Sequence, residues 1–134
     1  MPTAKETADE LRPQGRYLRD RIPSVWSAYA TLHKEAMAPG ALDTKTKELI
    51  ALAVSVARQC DGCIGAHARG AARQGATEAE VAEALGVAVL LNGGPGTVYG
   101  PRAMAAFREL GGAPAGPAEP VGARPPDADR SNVR

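Results

Sequence analysis

The chain has 134 residues, a hydrophobic content of 44% and a formal net charge of +1. This length predicts one domain, and an aromatic content of only 4% means that its core is built from small and aliphatic side chains. So small a net charge gives no field that would attract nucleic acid or an anionic membrane surface. The sequence has no long apolar run and no signal-peptide pattern at its start, so we expect a cytoplasmic protein.

Helical periodicity recurs along the chain and strand patterns are almost absent, which predicts an all-α fold. A short polar helix is expected over residues 4–12, with an interruption at Pro13 and Gly15. Ser24 is expected to cap a second helix, which Pro39 ends.

Capping residues mark the next three helices. Asp43 is expected to cap a helix over residues 44–58. The turn that contains both cysteines opens a helix over residues 60–74, which Gly75 closes in a left-handed conformation. Thr77 begins a T-x-x-E capping box, which predicts the start of a fifth helix.

The glycine-rich residues 92–96 are expected to end the fifth helix, and a sixth is expected over residues 97–110. Gly65 and Gly70 lie inside the fourth helix. Because glycine costs up to about 1 kcal/mol relative to alanine in a helix, these two positions indicate a close approach by a neighbouring helix.

Composition divides the chain into three parts. Residues 1–15 form an N-terminal polar segment, and residues 16–110 carry the helical domain. Residues 111–134 are rich in proline and poor in apolar side chains, so they cannot bury enough surface to offset the entropy lost on ordering. We expect a disordered tail there.

Cys60 and Cys63 are the only cysteines in the chain and stand at C-x-x-C spacing. In a reducing compartment such a pair is more often catalytic or metal-binding than structural. His67 follows four residues after Cys63, so on a helix its imidazole and the thiol share one face. An imidazole beside a thiol favours the thiolate at neutral pH. The spacing therefore predicts a dithiol redox site with His67 as its base.

Glu48 is the candidate partner of that imidazole. It lies near the apolar face of its predicted helix, beside Leu49 and Leu52, which directs the carboxylate inward. A carboxylate that points into a core needs a partner. We expect this partner to be His67, which Glu48 would orient.

Two other interpretations of the cysteines remain open. They could be inert buried thiols, or they could join both histidines in a zinc site, since zinc takes four ligands. His33, however, shares a helical stripe with Trp26 and Met37, and we expect it to be a core or interface residue. Tyr99 could border the site or only pack.

The chain resembles the alkylhydroperoxidase AhpD-like proteins of the carboxymuconolactone decarboxylase superfamily at residues 45–53, 60–67, 75–81, 93–95 and 99–101. The resemblance extends over residues 16–110, and its most specific element is the E-x11-C-x-x-C-x3-H pattern that begins at Glu48. It implies an AhpD-like helical fold in which a central antiparallel helix pair carries the CxxC motif. It also implies assembly as a homotrimer or a homohexamer.

The resemblance further implies a thiol-dependent peroxidase or disulfide reductase without cofactor or metal. Its substrate would be a hydroperoxide and its reductant a lipoyl- or thioredoxin-like dithiol. Cys63 would attack the peroxide, Cys60 would be the resolving thiol, and Glu48 and His67 would relay protons. Position 62 is a glycine where the best-studied members have a histidine, so one relay group is absent. We expect the missing side chain of Gly62 to leave the second thiol open to a peroxide or a partner thiol.

Two other classes of function remain open from the sequence. One is a non-catalytic helical assembly or binding protein whose cysteines sense redox state. The other is a decarboxylase-like enzyme with His67 as its base, although the decarboxylase branch of the superfamily lacks the cysteine pair. Peroxide consumption and thiolate titration separate these classes from a peroxidase.

Overall fold

The computed structural model describes residues 1–112, which form six α-helices and no strand. The predicted all-α fold is confirmed. The predicted tail lies outside the described residues from position 113 onwards. The helices are α1 (Ala4–Arg21), α2 (Pro23–Met37), α3 (Thr44–Ala57), α4 (Asp61–Arg73), α5 (Glu78–Asn92) and α6 (Gly94–Glu109).

Helix α1 is longer than predicted. A capping box begins it, in which the Glu6 N–H donates to Thr3 Oγ1 at 3.2 Å and the Thr3 N–H donates to Glu6 Oε2 at 2.8 Å. The chain then stays helical through Pro13 and Gly15, so the predicted interruption is wrong. Most helical stability in a protein comes from packing one face against a neighbour, and α1 packs along α4. The helix crosses the boundary predicted after Gly15, and the division into domains stays a prediction.

Two other helix starts differ from the prediction. Ile22, and not Ser24, is the N-cap of α2, and Pro23 is its first residue. Proline is favourable there because a first-turn N–H has no partner inside the helix. Helix α6 begins at Gly94, ahead of residue 97, because only Gly93, with φ at 62°, leaves the helical conformation.

The other caps follow the prediction. The Asp43 carboxylate accepts from the Thr46 N–H at 2.7 Å at the start of α3. Thr77 and Glu80 form the capping box of α5, and Gly75 has the left-handed φ of 77° after α4. These short-range hydrogen bonds fix where the chain enters and leaves the helices that carry the site.

The core lies between α3, α4, α5 and α6, while α1 covers α4 and α2 lies at the edge with no buried residue. Helices α3 and α4 are joined by a short turn and pack as the predicted central antiparallel pair. None of the six helices is long and apolar enough to cross a membrane. The buried apolar side chains are those of Leu52, Val56, Ile64, Ala68, Ala71, Ala76, Val81, Leu85, Ala88, Ala103, Ala106 and Phe107.

An ion pair joins the first turns of α3 and α5. Lys45 Nζ lies 2.8 Å from Glu80 Oε1, and Glu80 Oε2 accepts from the Thr77 N–H at 2.8 Å. The hydrogen bond from Lys45 is the main cause of a lowered pKa at Glu80, followed by the bond from the Thr77 backbone. The same pair raises the pKa of Lys45.

Candidate active site at the cysteine pair

The turn between α3 and α4 places both cysteines at the start of α4. Cys60 is the N-cap, and its Sγ accepts a hydrogen bond from the Cys63 N–H at 3.2 Å. The two sulfurs form a disulfide with an S–S distance of 2.06 Å and a Cα–Cα distance of 5.2 Å. Cys63 is exposed and Cys60 is half-buried. The interpretation of both as inert buried thiols is therefore wrong.

Glu48 and His67 are in direct contact across the α3–α4 interface. Glu48 is only 8% exposed, and its Oε2 lies 2.8 Å from Nδ1 of His67. An ionised carboxylate has no hydrogen to donate, so the hydrogen of this bond lies on Nδ1. The Nε2 atom of the neutral ring is then left as the acceptor that can take up a proton.

Gly70 provides the space in which this contact forms. A Cβ atom at position 70 would overlap with the carboxylate group of Glu48. By contrast, a Cβ at Gly65 in the same helix would lie 3.8 Å from Ala4 of α1, an ordinary van der Waals distance. The close helix approach predicted at these glycines therefore occurs at both positions, but only Gly70 is needed to admit the carboxylate.

Cys63 and His67 line the same open groove between α2, α3 and α4, which encloses about 420 Å³. Met37, Ile50 and Val54 give the groove an apolar surface. A small molecule in this groove reaches the exposed sulfur and the imidazole together. The structure thus joins His67 to Glu48 across the α3–α4 interface and to Cys63 along the groove, while Cys60 is bonded to Cys63 at the turn between the two helices.

The opposite face of the cysteine turn lies against α1. A Cβ on Gly62 would lie 3.0 Å from Cδ1 of Leu11 in α1. An open cavity of about 390 Å³ is lined by Gly62 and Leu11 on this face, and the expectation that Gly62 opens a path to the second thiol stays a prediction. Cys63 itself lines the groove on the other side.

His33 lies closer to the site than its sequence pattern indicated. Its ring stacks on that of His67, with centroids 6.0 Å apart and an interplanar angle of 18°. It is exposed, so a core position is wrong, while the interface position stays a prediction. The sequence feature that indicates this position is the helical stripe that His33 shares with Met37, because Met37 lines the groove one turn later. Among residues 1–112, no three His, Cys, Asp or Glu side chains converge to hold a metal ion, which leaves the zinc interpretation without support.

Tyr99 packs against the core and supports an arginine that reaches the cysteine turn. The Arg102 guanidinium lies 4.4 Å from the centre of the Tyr99 ring. Arg102 Nη1 also lies 3.4 Å from Oδ1 of Asp61, between the two cysteines. Arg102 thus lies between Tyr99 and the cysteine turn.

The carboxymuconolactone decarboxylase family model matches residues 23–111, a range that includes the four site residues. The chain belongs to the carboxymuconolactone decarboxylase family. Uncharacterized protein 4 in the cox locus of Paracoccus denitrificans is 37% identical over 113 residues, which is 84% of this chain and 96% of that protein.

Two solved structures of this family are similar to the chain. The apo form of a member from Legionella pneumophila has a TM-score of 0.77 and 39% identity, covering 81% of this chain and 96% of that one. A member from Thermotoga maritima, described with a suggested role in an antioxidative response, has a TM-score of 0.65 and 30% identity, covering 75% and 89%. The AhpD-like helical fold is therefore shown by sequence and structure alike.

Proposed function

We propose that this family member is a thiol-dependent peroxidase, which uses the Cys60–Cys63 pair to reduce hydroperoxides in antioxidant defence. One observation carries the proposal: the exposed sulfur of the disulfide and the carboxylate-bound imidazole of His67 line the same groove. The suggested antioxidative role of the Thermotoga maritima relative supports it.

In the first step the Cys63 thiolate attacks one oxygen of the hydroperoxide. An S–O bond forms and the O–O bond breaks, which leaves a sulfenic acid on the protein. His67 takes the thiol proton on Nε2 and gives it to the departing alkoxide, which leaves as the alcohol. Glu48 holds the ring in the required tautomer through Nδ1.

In the second step the Cys60 thiol attacks the sulfenic sulfur, and water leaves as the disulfide forms. A dithiol reductant then attacks this disulfide, passes through a mixed disulfide and leaves oxidised, which restores both protein thiols. In sum, one hydroperoxide and one dithiol become an alcohol, water and a disulfide. No further oxidant or reductant is needed.

The partners proposed for this cycle are a hydroperoxide and a lipoyl- or thioredoxin-like dithiol, in the cytoplasm. We also propose a homotrimer or a homohexamer. The apolar side chains that α2 and α5 expose, among them Tyr29, Leu32, Leu90 and Leu91, support this assembly.

The test is peroxide consumption with reduced lipoamide or thioredoxin as electron donor. Cys63→Ser should abolish turnover, whereas Cys60→Ser should allow one round and leave a sulfenic acid that a trapping reagent labels. If Cys60→Ser leaves an unreactive Cys63, and Cys63→Ser a reactive Cys60, the two roles are exchanged. In that case the N-cap position of Cys60 dominates the activation of the thiol.

The same assay separates the other classes of function. A decarboxylase-like enzyme would not consume peroxide, and its decarboxylase activity would survive the loss of both cysteines. A binding protein with redox-sensing cysteines would form and lose the disulfide without consuming peroxide in multiple turnovers. Either result would contradict the peroxidase proposal.

A further inference from the structure

We infer that the groove beside Cys63 selects hydroperoxides with an apolar body and a carboxylate, and that Arg58 binds this carboxylate. The inference rests on the proposed peroxidase function and adds the substrate class. Three observations support it: the apolar side chains along one face of α3, the positive charge of the groove, and the position of Arg58 relative to the sulfur of Cys63.

The apolar part of the groove is a stripe on α3. Lys47, Ile50, Val54 and Arg58 follow one another at helical spacing and all line the groove. Ile50 is 50% exposed and Val54 is 55% exposed. These two side chains, with the exposed sulfur of Cys63 beside them, offer apolar contact to the body of a substrate whose peroxide group reaches the sulfur.

The charge of the groove is positive. Among residues 1–112, Lys47 and Arg58 are the lysine and arginine that line it, and no carboxylate does. Lys47 already donates to the backbone oxygens of Ala36 at 3.0 Å and Ala38 at 2.5 Å. The Lys47 ammonium is therefore already hydrogen-bonded to backbone oxygens at the end of α2.

Arg58, in contrast, is free to bind a ligand. Its side chain is exposed and makes no hydrogen bond or ion pair with any residue in the described part of the chain. A guanidinium presents a planar pair of N–H donors that matches a carboxylate. Arg58 is the C-cap of α3 and directly precedes the cysteine turn, so it lies at the same end of the groove as Cys63.

A matched pair of substrates tests this inference. Cumene hydroperoxide with a carboxylate on the ring is compared with its methyl ester, which has the same peroxide group without the charge. Because Arg58 is exposed, we expect kcat/KM of the unmodified protein to be about fivefold higher for the acid. Arg58→Gln should remove this preference, and Arg58→Lys should keep part of it. Arg73→Gln, at an exposed arginine outside the groove, should retain it.

Each outcome decides a separate point. Equal kcat/KM for acid and ester in the unmodified protein overturns the inference. This is the result expected if a second copy of the chain covers the groove. A preference that persists in Arg58→Gln overturns the assignment to this residue. Turnover of hydrogen peroxide, which carries no carboxylate, tests the peroxidase function itself. If no peroxide is consumed, the proposed function fails and the inference fails with it.

Discussion

The carboxylate of Glu48 occupies the space that a methyl group on Gly70 would fill. Gly70 lies three residues after His67 on α4, so the gap left by the missing side chain is on the same helix face as the imidazole. The carboxylate enters this gap from α3 and reaches Nδ1 of His67 at 2.8 Å. A residue without any functional group thus determines whether the carboxylate and the imidazole meet.

Gly70→Ala should displace Glu48 and lower both stability and peroxide reduction. Alanine is the better helix former by about 1 kcal/mol, so helix propensity alone would predict a gain in stability. Gly65→Ala is the matched control, because its Cβ meets only an ordinary contact and should raise the melting temperature slightly. Thermal unfolding and kcat/KM of both variants check this. Full activity of Gly70→Ala would show that Glu48 does not need this position.

His67→Ala should raise the pKa of the Cys63 thiol, because a neighbouring imidazole favours the thiolate. Peroxide reduction at neutral pH should fall by about a hundredfold, with partial recovery at alkaline pH, where hydroxide replaces the base. The rate of thiol alkylation against pH measures this pKa. Glu48→Gln should act in the same direction but more weakly, since Glu48 orients the ring.

His33→Ala is the control for these variants. His33 stacks on His67 but makes no bond to Glu48, so its loss should change the rate much less. An equal loss of activity in His33→Ala and His67→Ala would contradict the assignment of the base.

The ion pair between Lys45 and Glu80 should contribute to stability in a pH-dependent way. The pKa of Glu80 is lowered in the folded chain, chiefly by the hydrogen bond from Lys45, so its contribution is present above the unfolded value and is lost as the pH falls through the folded one. Glu80→Gln keeps an acceptor for the Thr77 N–H but removes the charge. Its melting temperature should lie below that of the unmodified protein at pH 7, and the difference should shrink below about pH 4. A difference that stays constant with pH would contradict this.

Light scattering at micromolar concentration should give the mass of a homotrimer or a homohexamer. Leu90 and Leu91, at the end of α5, are 79% and 82% exposed, an arrangement typical of an interface. Leu91→Asp should therefore lower the mass. Ala79→Asp adds the same charge in the first turn of α5, where a carboxylate is favourable, and should leave the mass unchanged. A monomeric mass for the unmodified protein would contradict the proposed assembly.

Features that depend on residues close in sequence could be predicted. The capping residues Asp43 and Thr77 act over three residues, and the spacing of the cysteines and His67 is set within one helix. The helical course of α1 through Pro13 could not, because its packing on α4 outweighs local propensity.

Contacts between residues that are distant in the sequence could not be predicted either. Leu11 covers Gly62 from another helix, and His33 meets His67 from α2. Arg58 shows no distinctive pattern in the sequence, and its place in the groove depends on how α2, α3 and α4 pack. In each case the missing information is the relative position of helices, which no short motif contains.

The sulfur of Cys60, a redox atom in the proposed cycle, is also the N-cap of α4. The backbone N–H of Cys63 donates to this sulfur in the disulfide, and the same N–H can donate to a thiol or a thiolate. The scaffold around the pair can therefore stay fixed while the chemistry turns over.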